Sequence, residues 1–241
     1  MMVDRLLLRN RLKSLSTINC HLSTKIMFTI TLFTFGPVSE NTYVLHNEAG
    51  HCIIIDPGCY FGNERRELAD YISDNGLQPK YLLNTHCHFD HVFGNRFVHD
   101  TWGLEPYLHP DEQPVLQNAV RAGLIWGLSF DNYTGPLHFL RENDSIQLGT
   151  DTLKVLFTPG HSVGHIVFYC ADQHFVIGGD TLFRQSVGRT DLPGQDFATL
   201  ENSIRTRMYV LPDETVVYPG HGEATTIGFE KTNNPFVRGA V

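Results

Sequence analysis

The sequence predicts one mixed α/β domain, and three observations predict it. Two stretches, Phe28–Asp56 and Ser145–Ile177, are rich in β-branched and aromatic residues and broken by turn signals, as strand-rich segments are. Between them lies a connection with helical periodicity. No short-period repeat, low-complexity tract or long linker divides the 241 residues, so a single domain from Met27 to Val241 is expected.

Taken in order, Phe28–Phe35, Thr42–His46 and Cys52–Asp56 read as a β-meander, separated by turns at Gly36-Pro37, Asn47–Gly50 and Pro57-Gly58. Asn63–Asn75 reads as a helix, because Leu68, Tyr71 and Ile72 fall at i, i+3 and i+4. Tyr81–Leu83 is a short buried strand. The stretch from Phe93 to about Asn143 is the least regular; Asp111–Gly123 suggests a helix, and Trp126, Phe130, Tyr133 and Phe139 offer aromatic surface for a cleft or a core. Strands return at Ser145–Leu148, Thr152–Phe157, Ile166–Cys170 and His174–Ile177. Phe197–Met208 reads as a helix with Leu200, Ile204 and Met208 on one face, and Thr215–Tyr218 as a last strand leading to His221.

The composition, 41% apolar and 18% charged, is that of a soluble globular protein. No run approaches the ~20 apolar residues of a membrane span, so no membrane association is expected. Residues 1–26 carry five Lys/Arg against Asp4, a net of +4, which leaves −12 on residues 27–241. An acidic body disfavours nucleic acid, whose phosphates reward Lys and Arg. Five cysteines, with no C-x-x-C, point to a reducing compartment and a cytoplasmic location. The basic, Ser/Thr-containing residues 1–26 superficially resemble a transit peptide, and Leu6-Leu7-Leu8 is too short for a secretory core. With Met27 immediately before the first strand, residues 1–26 are expected to be an extension outside the fold.

The chemistry concentrates in Thr85-His86-Cys87-His88-Phe89-Asp90-His91, where three imidazoles and a carboxylate occupy six residues. Pro159-Gly160-His161, Gly178-Gly179-Asp180 and Pro219-Gly220-His221 each place one more ligand-type side chain after a strand-like run. Alternate residues of extended backbone share a side, so His86 and His88 can converge on one ion. Asp90 and His91 follow where the chain must turn, towards a second ion. Asp180 is the natural bridge, having two oxygens to share. Imidazole and carboxylate suit Zn²⁺, and also Fe or Mn; without thiolate, a closed structural zinc site is disfavoured. Two divalent ions, zinc first, are expected.

Other residues read differently. His165 is expected to be structural or to support a ligand, and Cys87, turned away by alternation, to pack. Asp56 either orients a ligand imidazole or caps its turn. Arg189 either meets an anionic substrate group or fixes its loop by pairing with Asp191 or Asp196. The remaining histidines, His21, His46, His51, His99, His109, His138 and His174, read as structural.

At His86-x-His88-x-Asp90-His91, His161, Asp180 and His221 the sequence resembles the metallo-β-lactamase superfamily. The likeness covers essentially residues 27–241 and implies an αββα sandwich with the metals at one edge between the sheets. It implies that His86, His88 and His161 hold metal 1, that Asp90, His91 and His221 hold metal 2, and that Asp180 lies between them. The segments Thr158–His165, Gly179–Phe183, Gly188-Arg189-Thr190-Asp191 and Asn234-Pro235-Phe236 are most similar to the small, single-domain glyoxalase II-like hydrolases. Long glyoxalase II enzymes carry a helical domain that helps grip glutathione; here twenty residues follow His221.

The resemblance implies hydrolysis of a small-molecule acyl thioester such as S-D-lactoylglutathione, by attack of a hydroxide shared between two cations, with Asp90 also handling protons. The rival reading is a mono-iron persulfide dioxygenase, a family with the same ligand pattern and a Gly-Arg-Thr-Asp segment, whose iron is held by the equivalents of His86, His161 and Asp180. A secreted β-lactamase would have a signal peptide and usually a cysteine ligand where Asp180 stands.

Overall fold

The computed structural model describes residues 28–239, so the extension at 1–26 and the start at Met27 lie outside the described residues. The first half contains β1 (Thr29–Phe35), β2 (Glu40–His46), β3 (His51–Ile55), α1 (Gly62–Asp74) and β4 (Gln78–Leu83). The connection holds α2 (Phe89–Val92), α3 (Asn95–Trp102), β5 (Pro106–Leu108), α4 (Gln113–Ile125) and β6 (His138–Phe139). The second half holds β7 (Ser145–Leu148), β8 (Asp151–Phe157), β9 (Ile166–Cys170), β10 (Phe175–Gly179), the hairpin β11 (Leu182–Phe183) and β12 (Ser186–Val187), and α5 (Phe197–Ser203). It ends with β13 (Val216–Pro219), β14 (Thr225–Thr226) and α6 (Ile227–Asn233).

The strands form two six-stranded sheets, ordered β1-β2-β3-β4-β5-β6 and β14-β13-β10-β9-β8-β7. Side-chain alternation sorts each strand between two cores. Leu45, Ile53 and Ile55 face Ile166, Phe168 and Ile177 in the core between the sheets. Their neighbours Val44, Cys52 and Ile54 point outward onto Leu68 and Ile72 of α1 and Val98 of α3. On the other sheet Val167, Val176 and Val217 point outward onto Leu200, Ile204, Met208 and Ile227. Helices therefore cover both outer faces, and the fold is the four-layer αββα sandwich of a single domain.

The expected strands and α1 lie where the patterning put them, within two or three residues. The irregular connection is more ordered than its sequence suggests, because β5 and β6 extend the first sheet by parallel pairing. The helix read over Phe197–Met208 changes character partway. It is α-helical to Ser203, and Ile204–Met208 widens into a π-helical turn. Both Ile204 and Met208 remain fully buried against the second sheet.

The two sheets are tied at one edge. The backbone amide of Ile166 donates to the Thr85 carbonyl (2.9 Å), and that of Asn41 to the Gly220 carbonyl (2.7 Å). The hydroxyl of Tyr43 and the side-chain amide of Asn41 both donate to the Pro219 carbonyl, at 2.7 and 3.0 Å. β4, β8, β10 and β13 all end at this edge, and the four ligand-bearing segments begin there. No helix among the described residues is long and apolar enough to cross a membrane.

Phe168 is fully buried between the sheets. Phe168→Ala is expected to cost about 3–5 kcal/mol, read as a lower midpoint in denaturant unfolding of the metal-stripped chain.

Candidate metal centre

The four segments bring all seven expected donors together. After β4 the chain runs extended through His88, whose φ of −62° and ψ of 151° precede the single turn of α2. That turn lifts Asp90 and His91 to the side of His86. His161 follows β8, Asp180 leaves the end of β10, and His221 the end of β13. Gly220 is needed at its position, because a Cβ there would run into the Asp180 carboxylate and the His91 ring.

Two three-donor groups result, His86/His88/His161 and Asp90/His91/His221, each with its donor atoms within 4.8 Å of one another. Asp180 faces both. Its Oδ2 is 3.4 Å from His161 Nε2 and 3.7 Å from His221 Nε2, and its Oδ1 is 3.5 Å from His91 Nε2. Asp90 Oδ2 is 3.2 Å from His221 Nε2. The Nε2 atoms of His86 and His161 approach to 3.3 Å.

The imidazoles are held from behind. His161 Nδ1 donates to the Arg189 carbonyl (2.9 Å) and His221 Nδ1 to the Ser39 carbonyl (3.1 Å). His91 Nδ1 faces Asp56 Oδ2 at 3.2 Å. His86 Nδ1 lies 3.1 Å from the Thr85 hydroxyl, which in turn donates to Asp56 Oδ2 (2.5 Å). Such bonds fix the tautomer with the proton on Nδ1 and the Nε2 lone pair turned inward. Asp56, His86 and His91 also form a compact group, but their mutual bonds use this rear side, so Asp56 orients the imidazoles. Asp56 adopts a φ of 47°, a left-handed conformation that Asp tolerates better than most residues.

Charge divides between the two groups. Burial, then neighbouring imidazoles, holds His86 well below its usual pKa, and His88 is pushed down to about 3. Burial also lowers His161, against the pull of Asp180. Burial opposes the charge on Asp180, yet His91, His161 and His221 keep it far below the usual carboxylate range. Burial would lower His91 and His221 too, but Asp180 and Asp90 raise them.

A cation fits the donor set. Two buried polar atoms, His91 Nε2 and Asp180 Oδ1, face each other at 3.5 Å and have no well-formed hydrogen bond among the described residues, which is costly unless something else satisfies them. The donors are imidazoles and carboxylates, the set that suits zinc, iron or manganese.

Other expected roles resolve as follows. His165 accepts from the Asp180 amide through Nε2 (3.0 Å) and stacks on His86 with centroids 4.8 Å apart, a supporting position. Cys87 packs with Val92, Phe93 and Leu108. The Arg189 guanidinium grips Asp191 through two bonds of 2.7 and 2.9 Å while lining the cavity over the centre. Of the histidines set aside, His138 pairs with Glu105 and His99 with the Leu104 carbonyl; His21 lies outside the described residues. Glu112 was not singled out in the sequence. It is fully buried and accepts from the Cys87 amide (2.7 Å), the Ser162 hydroxyl (2.5 Å) and the Gly164 amide (2.7 Å), pinning the His86–His88 and His161 loops together. An acidic residue just before α4 was the sole sequence signal.

The sandwich with its clustered donors defines a class, and comparison agrees with it. Residues 35–221 match the Metallo-beta-lactamase superfamily, and the chain belongs to it. Among curated relatives it is 36% identical to the "Probable metallo-hydrolase YqgX" of Bacillus subtilis over 206 residues, 85% of this chain and 95% of that one. It is 34% identical to the "Hydroxyacylglutathione hydrolase GloC" of Haemophilus influenzae, covering 82% of this chain and 92% of that one. Among solved structures, TTHA1623 in a di-iron-bound form is 40% identical with a TM-score of 0.77, covering 86% of this chain and all of that one. The BLEG-1 B3 metallo-beta-lactamase is 36% identical with a TM-score of 0.80, covering 87% and 99%.

Asp56→Asn keeps a residue that tolerates the left-handed backbone. It removes a carboxylate oxygen shared by Thr85 and His91 and leaves donors facing donors. Metal affinity is expected to fall about 10–100-fold, measured by chelator competition; wild-type affinity would show that Asp56 only shapes its turn.

Proposed function

We propose that the protein is a two-metal hydrolase that cleaves a thioester, S-D-lactoylglutathione or a related acyl thioester, to a carboxylic acid and a thiol. The observation that carries this reading is the pair of three-donor groups sharing Asp180 within one buried cluster. Its relatives support it: one is named a hydroxyacylglutathione hydrolase, at 34% identity, and one structure at 40% identity is di-iron-bound.

His86, His88 and His161 would hold one divalent ion and Asp90, His91 and His221 the other, with Asp180 between them; zinc is the first choice, iron or manganese the others. When bound, such ions lower the pKa of water towards neutrality and polarise a carbonyl. The chain's own contribution is to place and hold. The rear hydrogen bonds to Asp56, Thr85, Arg189 and Ser39 keep four imidazoles turned inward, so little reorganisation is needed as charge develops. Asp90, which lines the cavity, is placed to take the proton released as water adds to the carbonyl. A thiolate leaves without needing that proton at once. Arg189, already engaged by Asp191, would act on substrate from the rim through its remaining N–H donors. We place the activity in residues 27–241 and in the cytoplasm, with neither nucleic acid nor membrane as partner.

The test is turnover of a thioester panel, including S-D-lactoylglutathione, by protein of measured metal content. Metal-dependent loss of thioester absorbance is expected. Oxygen uptake with a persulfide and one iron per chain would replace this reading with the dioxygenase. Hydrolysis of a β-lactam with thioesters untouched would change the bond assigned. Asp180→Ala should lower bound metal and turnover together, turnover by about a hundredfold or more; full metal content with normal turnover would refute the bridge. A chain beginning at Met27 should keep wild-type turnover, and collapse of that shortened chain would make residues 1–26 part of the fold.

A further inference from the structure

Five of the seven donors, His88, Asp90, His161, Asp180 and His221, line a cavity of about 900 Å³ and form its polar floor, within the range of small-molecule pockets. Its walls differ sharply from its floor. One wall is a stripe of α4 with Val115, Ala122 and Ile125, continued by Trp126; Val163 and Leu192, from outside α4, also line the cavity. Ile125 is 80% exposed, Trp126 59%, Leu192 42% and Val163 41%. Four of the eleven large hydrophobics exposed among the described residues thus gather at one mouth. Exposed apolar surface concentrated above a polar floor is the mark of a ligand groove.

Charge on these walls is sparse. Among the described residues, Asp90 and Asp180, which belong to the cluster, are the only carboxylates lining the cavity, and Arg121 and Arg189 its only guanidiniums. Arg189 is already gripped by Asp191. A glutathione moiety brings two carboxylates and an ammonium. Arg121 and the remaining N–H donors of Arg189 could each meet a carboxylate, but the ammonium would find no acid among the described lining residues outside the donor cluster. Burying charge without a partner is costly, whereas an aliphatic chain would cover apolar wall.

We infer that this site, if the thioesterase reading holds, selects thioesters with an apolar arm of medium length, seated against the α4 stripe, Val163 and Leu192, in preference to glutathione thioesters. Ile125 and Trp126 set that preference. They take no part in the chemistry; they desolvate against the chain.

The experiment uses the metal-loaded full chain and two series. S-acyl N-acetylcysteamines from acetyl to decanoyl lengthen the acyl arm, and S-acetyl alkanethiols from methyl to hexyl lengthen the thiol arm. kcat/KM is expected to rise about two- to fourfold per methylene in one series, passing S-D-lactoylglutathione before it levels off. In Ile125→Asn/Trp126→Asn the rise should flatten. Val210→Asn, at an exposed hydrophobic outside the cavity, should leave the slope unchanged. Flat series, or S-D-lactoylglutathione as the best substrate, would overturn the apolar-arm inference and leave the thioesterase standing. Failure to turn over any thioester would sink the thioesterase reading itself. Calorimetric binding of octanoate against acetate reads the wall without turnover: tighter octanoate, weakened by the Ile125/Trp126 pair, supports it, and equal affinities overturn it.

Discussion

Five imidazoles and two carboxylates must converge in a buried space without collapsing onto one another, and the rest of the structure answers to that constraint. Left to themselves, such side chains would pair ring nitrogen to carboxylate and fill their own site. The chain limits this by occupying the rear of four rings first; the ring-to-carboxylate approaches that remain, His221 Nε2 to Asp90 Oδ2 at 3.2 Å and His91 Nε2 to Asp180 Oδ1 at 3.5 Å, lie on the inward side. Ser39, Thr85, Asp56 and Arg189 supply the acceptors for Nδ1. Each ring then has one lone pair left, and it points at the common centre. The residual cost is visible in His91 Nε2 and Asp180 Oδ1, buried face to face at 3.5 Å without a well-formed hydrogen bond among the described residues.

These acceptors come from places distant in sequence, so the site exists only once both sheets are docked. Ser39 sits in the turn between β1 and β2 and holds His221, which follows β13 in the other sheet. Asp56 leaves β3 and holds the segment after β4. Ile166 of β9 bonds back to Thr85. The same contacts that close the sandwich at this edge therefore aim the donors, and the packed core behind them resists any drift of the loops.

The donors were legible in the sequence because they are dense, Gly-flanked and placed at strand ends; spacing alone named all seven that the fold brings together. The strands were legible because each shows β-branched and aromatic bias over several residues. What escaped was short or defined by pairing. β5, β6 and the single turn of α2 span two to four residues and exist through contacts to β4, α4 and the cluster rather than through local propensity. The π-helical turn at Ile204–Met208 keeps the apolar spacing of an ordinary helix, so periodicity could not reveal it. Asp56 was legible as one of two readings of its turn, but the rear acceptors at Ser39 and Arg189 escaped for a deeper reason: they are backbone carbonyls, and a carbonyl leaves no trace in the residue type.

Glu112 joins the two scales of the site. It stands at the start of α4, whose stripe forms one cavity wall, and its carboxylate holds the two loops that carry His86, His88 and His161. Burial raises its pKa against the lowering effect of three donated hydrogen bonds. Those three bonds satisfy a group that would otherwise be expensive to bury. The wall and the floor are therefore one unit at this end of α4, fixed relative to each other by a single side chain. At the other end, Ile125 and Trp126 are exposed and packed lightly. Position at the reacting end is thus rigidly determined, while the surface that would meet the remote part of a substrate is free to change in sequence without disturbing the donors. A fold divided in this way can keep one metal cluster and vary what it admits.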